Sequence, residues 1–260
     1  MNQQNITLLI TNVDGRDADK CIRKISEECQ AIIDILAVNN DEIHIRIRGN
    51  KDPYNRVVEY TGKEFNGKPL VIFGILDDFD KLYREIEIFF PKCYNEADQI
   101  LDLSNLSSKN AITVRLNFNF FSFATSLYYS LYLLLKENDL TVKTIKLNNN
   151  FIKKGGFDTF NKYQPYFFPK LKTISLIDNM VNENEVTHLN SQIEYIWYDE
   201  ICQLVSRETD LTLHTIQNIK TQLRTNDMGR ILSYIEQNKN IFSPEDYISR
   251  DSYDIHQNNY

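Results

Sequence analysis

The chain has 260 residues, 42% hydrophobic and 12% aromatic, with a formal net charge of −7. That balance excludes a disordered chain and leaves room for one large or two small packed domains. Six prolines and eight glycines leave few flexible linkers, and the four cysteines, Cys21, Cys29, Cys93 and Cys202, form no CxxC pair. Reduced thiols in a nuclear or cytosolic protein are therefore expected. The N-terminus has no basic region followed by a long apolar core, so no secretory signal is expected, and no apolar run reaches membrane-spanning length.

Residues 5–75 read as β-α-β-β-α-β. Ile6, Leu8 and Ile10 alternate with Thr7, Leu9 and Thr11 in a half-buried strand. A helix over 17–30 puts Ile22, Ile25 and Cys29 on one face. Residues 31–38 are apolar and strand-like, and Asn39-Asn40-Asp41 is a turn signal. Glu42–Arg48 alternates again, with Ile43, Ile45 and Ile47 inward and His44, Arg46 and Arg48 outward. A second helix is placed at 52–60 and a last strand at 70–75, after the Asn66-Gly67 turn. This order is that of the ferredoxin-like fold used by RNA-recognition motifs. The stacking aromatics of such motifs are missing: Leu9 stands where one would sit, and Glu42 and His44 occupy the third strand. The unit reads as a pseudo-RNA-recognition motif whose open face holds phosphates through Arg46 and Arg48 or docks against protein.

Residues 77–80, Asp-Asp-Phe-Asp, form an acidic junction and the expected boundary between separable domains, where limited proteolysis should cut. A helix at 82–90 is expected to end at Pro91. The aromatic segment 118–136 is expected to be helical from 122, with Phe123, Leu127, Leu131 and Leu134 in a core. Weaker helices are placed at 185–189 and 213–223, the second capping the stack described next. Residues 241–260 read as a polar tail.

One pattern then occurs twice. Val142, Ile145, Leu147, Asn150 and Ile152 are matched by Leu171, Ile174, Leu176, Asn179 and Val181, and the two asparagines are 179 − 150 = 29 residues apart. This is the leucine-rich-repeat spacing LxxLxLxxNxL. The alternating apolar residues point inward from a short strand, and the asparagine amide bonds the turn backbone. Gly155, Gly156 and Asp158 are read as continuing the loop, and Pro169 as stopping any helix before the next strand. Two repeats cannot bury a core alone. Degenerate copies are read at Leu101, Leu103 and Leu106, and at Ile193, Ile196 and Tyr198 with Ile201 in the asparagine's place. Lys143, Lys146, Lys153, Lys154, Lys162, Lys170 and Lys172 make this segment locally basic.

No GxSxG, P-loop, HExxH or Gly-rich dinucleotide motif occurs. His44, His188, His214 and His256 have no metal-ligand spacing. No catalytic residue, metal or cofactor is expected, and repeat stacks are usually binding surfaces.

A pseudo-RNA-recognition motif followed by such repeats resembles the N-terminal half of the nuclear RNA export factor family, the TAP-type messenger-RNA export receptors. KLYREIEIFFPKCYNEADQILDLSNLSS resembles that family's linker helix and first degenerate repeat. TVKTIKLNNNFI and FPKLKTISLIDNMV are similar to its two clear repeats, and IEYIWYDEICQL to its third, with Ile201 departing from asparagine. The resemblance covers roughly residues 5–232. It implies domains at 1–76 and 77–240, a nuclear protein shuttling through the pore, and RNA, export adaptors and nuclear pore components as partners. The family's nuclear-transport-factor-2-like and ubiquitin-associated-like domains have no room in this chain, so RNA and adaptor binding are the roles carried over. The expected RNA-binding residues are Arg46, Arg48, Lys143, Lys146, Lys153 and Lys154, acting by charge rather than base stacking. The alternative is a repeat-based protein-interaction scaffold that does not touch RNA.

Overall fold

The structure, a computed structural model, describes residues 7–48, 51–106, 118–186 and 188–248. Its first sheet is built from β1 (Thr7–Thr11), β2 (Ile32–Val38), β3 (Glu42–Arg48) and, later in the chain, β6 (Val71–Ile75). The helices α1 (Ala18–Cys29) and α2 (Lys51–Glu59) are interspersed. A small hairpin, β4 (Glu64–Phe65) and β5 (Lys68–Pro69), precedes β6. Its two-residue turn puts both Asn66 and Gly67 at positive φ, which these residue types tolerate. The sheet order is β2-β3-β1-β6, antiparallel throughout, with Leu9 opposite both His44 and Phe73.

Alternation along these strands separates two cores. Leu8, Ile10, Ile43, Ile45 and Ile72 pack with Ile22 and Ile25 of α1 and Val57 of α2. Leu9, Val71, Phe73 and Ile75 face the other way, into a second and larger core. That core belongs to the rest of the chain.

The chain continues as α3 (Phe79–Cys93), β7 (Tyr94–Asn95), β8 (Ile100–Asp102) and α4 (Phe121–Glu137). Then come β9 (Thr144–Lys146), α5 (Lys154–Phe167), β10 (Thr173–Ser175) and β11 (Glu194–Ile196). Three helices follow, α6 (Glu200–Thr209), α7 (Leu213–Leu223) and α8 (Met228–Gln237). The second sheet has the order β11-β10-β9-β8-β7 and is parallel from β8 to β11. The molecule is thus a mixed α/β structure.

The two clear repeats stack in register, Ile145 beside Ile174. Asn150 donates its amide to the carbonyls of Leu103 (2.8 Å) and Leu147 (3.0 Å), and Asn179 donates to Leu147 and Leu176 (both 2.9 Å). Each amide bonds its own turn and the preceding one, pairing carbonyls that the bend takes out of the ladder. Leu147 and Leu176 are buried, whereas Lys146 lies on the opposite face. Leu147→Ala or Leu176→Ala should therefore cost about 2–5 kcal/mol in denaturant unfolding. Lys146→Ala should cost almost nothing, and an equal loss there would reverse the inward face.

Several expectations need correction. Pro91 does not end α3, which runs to Cys93 because Tyr94 still donates to the Phe90 carbonyl. Gly155, Gly156 and Asp158 lie inside α5, not in a loop. Residues 185–189 form no helix among the described residues; a single 3-10 turn, Glu183–Glu185, stands there instead, closed by a capping box from Asn182. In the last rung the register places Tyr195, not Ile196, beside Ile174. The inward residues are Tyr195 and Trp197, both against Phe157. A slip of one residue exchanges the two faces of a strand. Within the segment read as a tail, Ile248 donates to the Asp210 carbonyl and Asp246 accepts from Thr212 and Thr215. Residues 249–260 lie outside the described residues.

The acidic junction marks no gap in packing. Helix α4 crosses the face of β1 and β6, and its small polar residues serve the outer edge of β6. Thr125 donates to the Gly74 carbonyl (2.7 Å) and Ser126 accepts from the Leu76 amide (3.1 Å). From α5, Tyr163 donates to the Ile72 carbonyl (2.6 Å). Gly74 permits this close approach: a Cβ there would lie 2.6 Å from the Ser122 hydroxyl oxygen, which would have to shift.

Candidate nucleic-acid interface

The open face of the first sheet is half covered. Leu9, expected to stand at the stacking position, is fully buried beneath the second core, so no base reaches it. Glu42 is taken by the Tyr129 hydroxyl of α4. What stays open is the β2-β3 half, with His44, Arg46 and Arg48. Arg48 pairs with Asp34 of β2 at 2.5 Å. That hydrogen bond holds the Asp34 carboxyl below its ordinary range and raises the guanidinium. The Arg46 Nε is buried and has no acceptor among the described residues, so this side chain retains unused donor capacity.

The four expected lysines fall into two groups. Lys146 extends from β9, between Asp102 of β8 and Ser175 of β10 in the register. Lys143 precedes that strand and is exposed. Its carbonyl accepts from the Lys172 amide at 2.8 Å, so these two lysines occupy equivalent places on neighbouring rungs. Parallel strands lie about 4.8 Å apart, close enough for both ammoniums to meet one phosphate. Lys153 and Lys154 sit beyond the asparagine turn, where α5 begins. Lys154 is held by Asp158, one turn on, at 2.6 Å, while Lys153 has no ion pair among the described residues. Lys162, counted in the basic segment, instead donates to the Val58 carbonyl at 3.0 Å and ties α5 to the first unit. Burial there lowers its pKa.

Sequence reasoning did not foresee the partners of Arg48, Lys154 and Lys162. The Lys154–Asp158 pair was legible in principle from its i,i+4 spacing on a helix. The Arg48–Asp34 pair depends on strand register, which residue spacing alone does not set.

Among the described residues, no group of three histidine, cysteine, aspartate or glutamate side chains could hold a metal ion, and no helix is long and apolar enough to cross a membrane. All four cysteines are buried. Comparison with protein-family models gives no match, and comparison with curated proteins gives none either.

Proposed function

We propose that this chain is a non-enzymatic RNA- and adaptor-binding module of a nuclear messenger-RNA export receptor. In this reading residues 7–75 are a ferredoxin-like pseudo-RNA-recognition motif, and the parallel stack from β8 to β11 is a leucine-rich-repeat unit. The observation that carries the reading is the succession in one chain of three parts: a sheet ordered β2-β3-β1-β6, the connecting helix α3, and a stack turned by Asn150 and Asn179. That succession agrees with the export-receptor resemblance of the sequence. The protein would then work in the nucleus and shuttle through the pore, with RNA, export adaptors and pore components as partners.

RNA contact through these cations is electrostatic in this proposal. Lys143, Lys146 and Lys153 carry no ion pair among the described residues, and Arg46 has a donor to spare. Each ammonium–phosphate contact releases condensed counterion, so log affinity falls with log salt by ~0.7 per contact on single strands. Replacing Lys143, Lys146, Lys153 and Lys154 together by alanine should weaken binding to all sequences alike. The slope should flatten by about 2, from three unpaired lysines at ~0.7 each. A salt titration of single-stranded RNA binding checks this, and an unchanged slope removes the lysines from the site.

A second reading, a protein-interaction scaffold without RNA binding, is favoured by one feature. Among the described residues the edge strand β2 pairs only with β3, and it exposes Ile32 (66%), Ile35, Leu36 and Val38. Open apolar edges recruit other chains. Absence of RNA binding by the folded protein at low salt would decide for the scaffold.

A further inference from the structure

The turn rim of the parallel stack carries an aromatic side chain that packing does not explain. Phe151 directly follows Asn150, has φ +56° and is 50% exposed. Bulky L-residues seldom adopt that left-handed conformation. Three neighbouring turn positions with positive φ are Asn105, Asn149 and Asp178, whose short polar side chains tolerate it. A phenylalanine at 151 is therefore unfavourable for the backbone and gains little from the core. Such a residue is more simply explained by something outside the chain.

A second exposed ring is tethered to the same turn. The Asn119 side chain donates to the Phe151 carbonyl (2.8 Å) and accepts from the Lys153 amide (2.7 Å). The next residue, Phe120, is 53% exposed. Neither Phe120 nor Phe151 makes a ring contact among the described residues, whereas Phe157, a few residues on, packs against Tyr195 and Trp197. Lys153, exposed and without an ion pair among the described residues, stands two residues from Phe151. Two residues of chain span at most about 7 Å. Two exposed aromatic side chains and an exposed lysine thus share one turn, tied together by Asn119.

We propose that this rim is a stacking site for single-stranded nucleic acid, with bases on Phe151 and Phe120 and a phosphate on Lys153. The proposal rests on the RNA-binding reading above and supplies the stacking that the first sheet lacks, where Leu9 is buried. Aromatic platforms beside cations bind single strands with little sequence preference, because every base offers a π-face. A nucleic acid fits better than an apolar protein surface because the two exposed phenylalanines share this turn with exposed Lys153 and polar Asn119 and Asn149 rather than with further apolar residues.

The test uses the full chain and a 12-nucleotide oligouridine carrying one 2-aminopurine, whose fluorescence reports stacking. Phe151→Asn suits the left-handed turn and should preserve or raise the thermal midpoint. It should weaken binding about tenfold, since one base stack is worth ~1–3 kcal/mol and ~1.4 kcal/mol is tenfold. Phe151→Tyr should keep the affinity and the fluorescence change. Phe120→Ala should weaken binding without altering the salt slope, and Lys153→Ala should lower that slope by ~0.7. If the wild type binds and both Phe151→Asn and Phe120→Ala bind equally well, the stacking assignment is overturned while RNA binding stands, and the rim becomes a protein-docking surface instead. If the folded wild type does not bind at low salt, the RNA reading falls and this site falls with it.

Discussion

Phe73→Ala should destabilise the entire molecule by about 3–5 kcal/mol and leave a single unfolding transition. Phe73 lies on β6 of the first sheet, yet its ring contacts come from the second unit. It meets Tyr129 of α4 at 4.8 Å between centroids, and Phe167 of α5 edge-on at 5.3 Å. Tyr163 of α5 adds a third, edge-on contact at 6.3 Å. The side chain is fully buried. The cost of truncation combines the lost transfer energy with the cavity left between two elements that cannot collapse independently. Because one core spans both units, thermal unfolding followed by near- and far-ultraviolet circular dichroism should give coincident curves for the wild type. This outcome departs from the cut expected at 77–80. Two separated transitions, or a small effect of Phe73→Ala, would mean that α4 does not hold the sheet in solution.

The same interface shows what the sequence could and could not convey. The repeats were legible because their signal is local: Ile145, Leu147 and Asn150 recur at fixed spacing as Ile174, Leu176 and Asn179. Binary alternation likewise marked Ile43 and Ile45 as inward. Burial of Leu9 was not legible, because its cover is supplied by a helix more than a hundred residues away. A trace of it did exist. Residues 122–131 of α4 are buried without interruption, and a helix apolar all round needs cover on every side. Reading Phe123, Leu127, Leu131 and Leu134 as a single stripe missed the opposite face, where Thr125, Ser126 and Tyr129 meet the first sheet. The slip at β11 has a similar origin. Tyr195, Ile196, Trp197 and Tyr198 are all able to face a core, so pattern alone does not set the register; the Leu176 amide bonding the Ile196 carbonyl does. At the candidate interface, cation identity was legible, but the pairing of Arg48 was not. Phe151 carried a faint signal, an aromatic falling just after a run of turn-forming asparagines and off the inward positions.

Asp199→Asn should cost about 3 kcal/mol, the low end for breaking a buried ion pair, while Lys220→Met should cost much less. The Lys220 side chain, on α7, is 1% exposed and pairs with Asp199 and, at 3.4 Å, with Asp178. Asp199 also caps α6 by accepting from the Cys202 amide at 2.9 Å. Gln217 completes the group by donating to Asp178 and accepting from the Cys202 thiol. The network joins the turn after β10 to α6 and α7. Asparagine at 199 can still cap the helix, so its cost isolates the loss of charge beside a buried ammonium. Asp178 remains to compensate in part, which keeps the cost near the low end. Methionine at 220 removes the buried charge and leaves two partly hydrated carboxylates, the milder of the two changes. For Asp199, desolvation works to raise the pKa, but the Lys220 hydrogen bond and the Cys202 amide outweigh it and leave it lowered. For Lys220, desolvation works to lower the pKa, and the hydrogen bond it donates to Asp199 with nearby negative charge leaves it raised. A lowered carboxylate contributes stability that is complete above its unfolded value, ~3.9, and is lost as pH falls through the folded value below it. A raised ammonium contributes stability that is complete below ~10.4 and is lost as pH rises through the folded value above it. Urea midpoints for wild type and Asp199→Asn should thus differ by a constant amount between about pH 4 and pH 10 and converge in stronger acid. A gap as wide at pH 2.5 as at pH 7, or a Lys220→Met variant as damaged as Asp199→Asn, would show that charge pairing is not what holds α7 to the stack.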